Sequence, residues 1–186
     1  MLKNRIIQLA VISLLLMTSS GCTIYSAAVD QRNIKTIASD TKIKVAIEKG
    51  FFDDKSIKVL EISAFVYAGH AYLVGEYGSA AQKQRAIAIA RGVDGVKQLT
   101  TYLLPKNSKD FCGVTDNATL SSKVKTALIK DKGIWATNIN VEAVQCHIVL
   151  LGMVGSKAEI NKAIAHAKSV ESVRGVKSYL VVAKQF

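Results

Sequence analysis

Residues 62–75, ISAFVYAGHAYLVG, lie over residues 139–152, INVEAVQCHIVLLG, without a gap. In both stretches alternating residues run up to and away from a central two-residue break, the pattern of a β-hairpin. A tight turn at Ala68 and Gly69 sets Phe65 opposite Tyr72 and Ala64 opposite Leu73. Ile62, Ala64, Val66, Ala71 and Leu73 then share one face. Ile139, Val141, Ala143, Ile148 and Leu150 share the matching face of the second copy.

The likeness extends outward from the hairpins, which marks an internal repeat. Ahead of them, KIKVAI at 42–47 matches KVKTAL at 123–128; behind them, Ala-rich helical stretches end in GVDGVK at 92–97 and SVRGVK at 172–177. Each copy closes on a β-rich run, 98–104 and 178–183. The stripe Leu120, Val124, Ala127 and Leu128 has the spacing of a one-sided helix. Each unit therefore reads helix, strand, strand, helix, strand. The fold class is α+β: two tandem modules, each a small mixed three-stranded sheet covered by two helices. Matched in this way, the first copy takes a longer path from helix to strand, through Phe51, Phe52, Asp53 and Asp54. The second copy gains three residues in its second helix, nearly one turn.

The N-terminus carries an address. Lys3 and Arg5 precede the apolar run 6–17, and small residues lead to Cys22, the three parts of a secretory leader. The run is too short to span a bilayer. Ser20-Gly21-Cys22 resembles the lipobox of bacterial lipoproteins, although Ser19 stands where a larger apolar residue is usual. That resemblance implies lipid modification of Cys22; ordinary cleavage nearby, leaving Cys22 unmodified or removed, is the alternative. The absence of Asp at Thr23 favours the outer membrane over the inner one. The expected organisation is a leader over 1–21, a lipidated tether over 22–35, a first module over 36–105, a linker over 106–116 and a second module over 117–186.

The 186 residues hold 25 Lys and Arg against 14 Asp and Glu, a formal charge of +11. Removal of the leader lowers this to +9. Such a surface attracts polyanions, and secretion takes away the commonest one, so nucleic acid is not expected as a partner. P-loop, G-x-G-x-x-G, G-x-S-x-G, H-E-x-x-H and C-x-x-C patterns are all absent. Neither catalysis nor a cofactor is expected, and the scattered Cys and His residues do not have metal-site spacing.

The Leu-Val-Gly that ends the first hairpin, the Arg-Ala-Ile-Ala of the following helix and the Gly-Val before the last strand resemble the BON domain. A lipobox followed by two such domains is similar to the dual-BON lipoproteins of the Gram-negative envelope. The resemblance implies a non-enzymatic protein, lipid-anchored in the outer membrane and facing the periplasm, which binds anionic phospholipid and maintains outer-membrane integrity. It further implies that the first helix of the second module, about 117–131 here, meets the lipid. Members can carry a Trp near its start, where this chain has Thr119 and Leu120.

On a helical wheel Lys123 and Lys130 flank one side of the buried stripe, Lys125 and Lys132 flank the other, and Ile129 points away. With Trp135 these make the candidate phospholipid-binding set; the alternative is a solvated face and a Trp that covers core. Phe65, Tyr67, Tyr72 and Val74 fall on the opposite face of the first sheet. They pack on the second module or meet a partner, and an envelope protein docked there, such as an outer-membrane assembly component, is the rival function. Cys112 and Cys146 are the two thiols left in an oxidising compartment. They form one disulfide, remain free, or link two molecules.

Overall fold

The computed structural model describes residues 33–57, 61–107 and 112–183. The leader and Cys22 lie outside the described residues. The first module contains helix α1 (Ile34–Asp53), strands β1 (Ile62–Tyr67) and β2 (His70–Tyr77), helix α2 (Ala80–Gly92) and strand β3 (Gln98–Pro105). The second contains α3 (Val114–Lys130), a short 3-10 turn (Ala136–Asn138), β4 (Ile139–Val144), β5 (His147–Val154), α4 (Lys157–Ser169) and β6 (Gly175–Val182). In each sheet the hairpin is antiparallel and the last strand returns parallel to the middle one. Side-chain oxygens of Asn33, Ser79 and Ser156 cap α1, α2 and α4, satisfying N–H groups that a helix start leaves open.

The repeat is more regular than the sequence match implied. His70 pairs with Gln98 and His147 with Gly175, so the two modules correspond at a constant offset of 77 residues. Helices α2 and α4 are both 13 residues long, and no insertion separates them. Nor is the first helix-to-strand path longer: α1 ends at the cap Asp54 and α3 at its counterpart Asp131. The strand expected over 178–183 is β6, which starts at Gly175, and the helix expected from 117 starts at Val114. The error was one of register. Matching the Lys-rich hexamers slid the helices by four residues, close to one turn, which preserves amphipathic phase and conceals the slip. The true counterparts are the buried residues Ile43, Ile47 and Phe51 against Leu120, Val124 and Leu128.

Those stripes build two cores. In the first, Ile43, Ile47 and Phe51 pack on Ile62, Ala64, Val66, Ala71 and Leu73, with Ala86 and Ala90 bringing α2 close to the sheet. In the second, Leu120, Val124 and Leu128 pack on Ile139, Ile148 and Leu150, with Ala163 and Ala167 in the equivalent role and Val141 and Ala143 at the margin. A third core lies between the modules. Tyr67, Tyr72 and Val74 are buried with Val144, Val149 and Leu151, and Phe65, Tyr102 and Tyr179 pack at its rim. The order of layers is therefore helices, sheet, sheet, helices. Asn140 Nδ2 donates to the Tyr67 hydroxyl at 2.6 Å, and Gln145 Nε2 donates to Glu76 Oε1 at 2.7 Å and to the Pro105 carbonyl at 2.8 Å.

Both hairpins are held by the helix in front of them. The carboxylate of Asp40 accepts from the N–H groups of Ala68 and Gly69 at 2.8 and 2.9 Å. Its counterpart Asn117 accepts from the Cys146 N–H at 3.0 Å. The caps Asp54 and Asp131 reach across to the second helix of their modules, Asp54 to Arg85 and Asp131 to Lys162 and His166. Hydrogen bonds from Ser56 and Arg85 hold Asp54 at a pKa of about 2. Hydrogen bonds from His166, the Gly133 N–H and Lys162 do the same for Asp131.

Two predictions follow from this frame. Gly75 and Gly152 adopt φ of 148° and 146°, and a Cβ there would lie 2.0 Å from the carbonyl oxygens of Glu61 and Asn138. Gly152→Ala is expected to cost about 2–3 kcal/mol in urea unfolding, whereas Gly92→Ala, which meets nothing within 4 Å, leaves the midpoint unchanged or raises it. The second concerns acid. Because Asp54 and Asp131 have folded pKa values below their unfolded value of 3.8, their contribution is complete above that value and is lost as pH falls toward 2. The melting temperature should drop over that window, and less steeply in Asp131→Asn.

Candidate docking face on helix α3

Helix α3 owes its one-sidedness to Leu120, Val124 and Leu128, and the opposite side faces water. Lys123 and Lys130 are exposed there and border a shallow open groove lined by Thr119, Ser122 and Thr126 and floored by Ala127. Ile129 is 65% exposed, an apolar residue with no core to enter. Lys132 is exposed just beyond the helix end. Trp135 is half-exposed; its backbone N–H is fixed by the buried carboxylate of Glu159 at 2.7 Å, which also accepts from the Gly155 N–H at 3.0 Å. Between Lys123 and Lys130 this side carries Thr126 and Ala127, and the exposed Asp116 lies two turns before Lys123, its carboxylate accepting from the Gly113 N–H at 3.0 Å. The nearby Asp131 is engaged with His166 and Lys162.

Lys125 does not belong to this face. Its ammonium donates to the carbonyls of Ala136 and Ile139, both at 2.5 Å, and tethers the 3-10 turn to the helix. Burial lowers its pKa. It lies a quarter-turn from the buried stripe, where a long side chain can reach either water or the backbone of the next element, and here two carbonyls lie within reach.

Cys112 and Cys146 are joined in a disulfide that fastens the start of α3 to the β4–β5 turn. Phe65, Tyr67, Tyr72 and Val74 line the contact between the two sheets, the last three 9%, 5% and 2% exposed. That burial removes the surface on which the rival docking of an envelope protein was drawn. His70 stacks on Tyr72 with ring centroids 4.2 Å apart and hydrogen-bonds Thr100 and the Tyr72 hydroxyl. Burial lowers its pKa, favouring the neutral ring inside the interface. Among the described residues, no three His, Cys, Asp or Glu side chains converge as metal ligands, and no helix is long and apolar enough to cross a membrane. One exposed feature escaped the sequence reading: Ile34, Val45 and Phe52, on the outer side of α1, are 80%, 56% and 78% exposed.

The fold defines a class: tandem α+β modules closed on each other through their sheets, with the helices on the outside. The chain belongs to the BON-domain family, and the BON domain matches residues 39–103 and 116–184. It is similar to the outer membrane lipoprotein DolP of Haemophilus influenzae, 27% identical over 84% of this chain and 81% of the relative. It is also similar to osmotically-inducible protein Y of Escherichia coli K12, 28% identical over 76% of this chain and 71% of the relative. Among solved structures it matches CdsD, a structural protein of the type III secretion system of Chlamydia trachomatis, at a TM-score of 0.32 and 14% identity. That match covers 77% of this chain and 63% of CdsD.

Lys125→Met should lower stability by about 1–2 kcal/mol through the two lost charge-assisted hydrogen bonds. Lys123→Glu and Lys130→Glu should each stay within about 0.5 kcal/mol of the parent. Urea unfolding followed by circular dichroism distinguishes the two positions.

Proposed function

We propose that this chain is a non-enzymatic lipoprotein of the outer membrane, facing the periplasm, that binds anionic phospholipid through α3 and so supports envelope integrity. The observation that carries this reading is the basic face of α3, where Lys123, Lys130 and Lys132 stand about an exposed Ile129 with Trp135 half-exposed beyond it. The lipobox-like Ser20-Gly21-Cys22 supports the anchor, as does the name of the Haemophilus relative, an outer membrane lipoprotein.

Magnitudes set the mechanism. Each lysine near an anionic surface contributes about 1 kcal/mol, so three give about 3 kcal/mol, weaker than a millimolar contact. Alone, this face would hold the chain poorly. An acyl anchor at Cys22 keeps the module at an effective concentration of the order of millimolar, which turns a weak contact into an orientation at the leaflet that responds to local lipid charge.

The test is flotation of residues 23–186, without the acyl anchor, with vesicles of phosphatidylethanolamine alone or mixed with phosphatidylglycerol or cardiolipin. Binding should need anionic lipid, fall several-fold between low and physiological salt, and weaken several-fold in Lys123→Glu/Lys130→Glu. No binding to anionic vesicles at low salt would overturn the reading.

A further inference from the structure

Helix α1 carries a surface that the first core does not use. Its buried side is Ile43, Ile47 and Phe51. On the other side stand Ile34, Val45 and Phe52, all largely exposed, with the exposed Ala38 between the first two. At 100° per residue these four fall within about 40° of one another, so they form one apolar stripe along most of a 20-residue helix. Lys35, Lys42 and Lys49, seven residues apart and all exposed, run alongside it. Lys49 pairs with Asp53, which offsets one of those charges; on the other flank Lys44 pairs with Glu48 at 3.4 Å. Phe52 is the counterpart of Ile129 on α3, so both modules place a large apolar residue outward at the same point. Of the two helices, α1 carries the longer apolar stripe.

We propose that the outer face of α1 is a second membrane-docking surface, which lays Ile34, Val45 and Phe52 into an anionic bilayer with the lysine row at its headgroups. Two observations select a bilayer over a second copy of the chain. The charge of the row is complementary to anionic headgroups, whereas another copy would bring a positively charged molecule against it. The second is the length of chain ahead of the helix. Ten residues separate Cys22 from Asn33, a span of at most about 40 Å, so an anchor at Cys22, on which this point rests, keeps α1 within reach of the surface. An amphipathic helix with a basic flank lies in the interfacial plane without spanning it.

The arrangement of layers adds a consequence. The two helix layers lie on opposite sides of the paired sheets, so the α1 and α3 faces favour different orientations of the molecule at a bilayer.

The experiment uses the full lipidated chain in phosphatidylethanolamine vesicles with and without phosphatidylglycerol. Phe52→Cys and Ile129→Cys are spin-labelled in separate samples; Cys22 is acylated and Cys112 and Cys146 are paired, so the new thiol is the one labelled. Collision rates with oxygen and with a water-soluble nickel chelate report immersion. The oxygen-to-nickel ratio at position 52 should rise about threefold or more in anionic vesicles and return to its neutral-vesicle value in Lys35→Glu/Lys42→Glu. An immersed label at 129 with a label at 52 in water would overturn this proposal and leave the α3 reading standing. The reverse would uphold α1 and remove α3. Both labels in water would overturn both.

Discussion

The contact between the two sheets governs the rest of this structure. A three-stranded sheet with helices on one side leaves its other face open, and here that face is aromatic on the first module and aliphatic on the second. Tyr67, Tyr72 and Val74 close on Val144, Val149 and Leu151, so each sheet becomes the missing layer of its neighbour. Left in water, such a patch would drive association. Within the interface, burial lowers the pKa of His70, and burial together with the neighbouring Tyr179 raises that of Tyr72, so both rings favour their neutral forms. With both sheets occupied, the surface left for binding is helical, which is why the candidate faces fall on α1 and α3 and not on the strands.

The two modules share a frame at an offset of 77 residues but fasten it differently. In the first, the carboxylate of Asp40 holds the hairpin turn through two backbone N–H groups. In the second, Asn117 supplies one such bond and the Cys112–Cys146 disulfide supplies a covalent one. With the two cysteines 34 positions apart, the loop closed by that bridge is worth about 3–4 kcal/mol in the chain-entropy model. The second hairpin thus gives up one buried carboxylate and gains a cross-link. Ser172 at φ 69° stands where the first module has Gly95 at φ 89°, so the second copy tolerates a left-handed non-glycine residue at the same bend. The second module has diverged at its joints and kept its core.

The hairpins were legible in the sequence because a period of two leaves little freedom: moving Ala64 or Ile148 by one residue would put it on the wrong face. The fold class, the two-module organisation and the inward faces of both sheets follow from that alternation. Helix register was not legible in the same way. Shifting a helix by four residues returns nearly the same face, so KIKVAI could be laid over KVKTAL at no visible cost; that match made the false longer path, and laying GVDGVK over SVRGVK, three residues out of step, made the false insertion. Burial of Phe51 settles the matter, since only its pairing with Leu128 places both helices on equivalent cores. The stripe on α1 escaped for a related reason: attention to the buried period hid a second one, Ile34, Ala38, Val45 and Phe52, on the opposite side.

The candidate face on α3 illustrates why counting charge along a helix overstates what a membrane would meet. Four lysines lie between Lys123 and Lys132, and composition treats them alike. Their fates depend on what lies beside them. Lys123 and Lys130 stand on the outer half of the wheel, with Ala, Ser and Thr around them, and remain in water. Lys125, a quarter-turn from Val124, has the carbonyls of Ala136 and Ile139 within reach and turns inward. One side chain in four thus serves the fold, taking about a quarter of the electrostatic attraction with it at about 1 kcal/mol per lysine. A face left with so small a margin is decided by the apolar residues set among the charges and by the anchor that holds the chain near the surface. In both respects α1, with three large exposed apolar side chains and the shorter path to Cys22, is at least as well placed as α3.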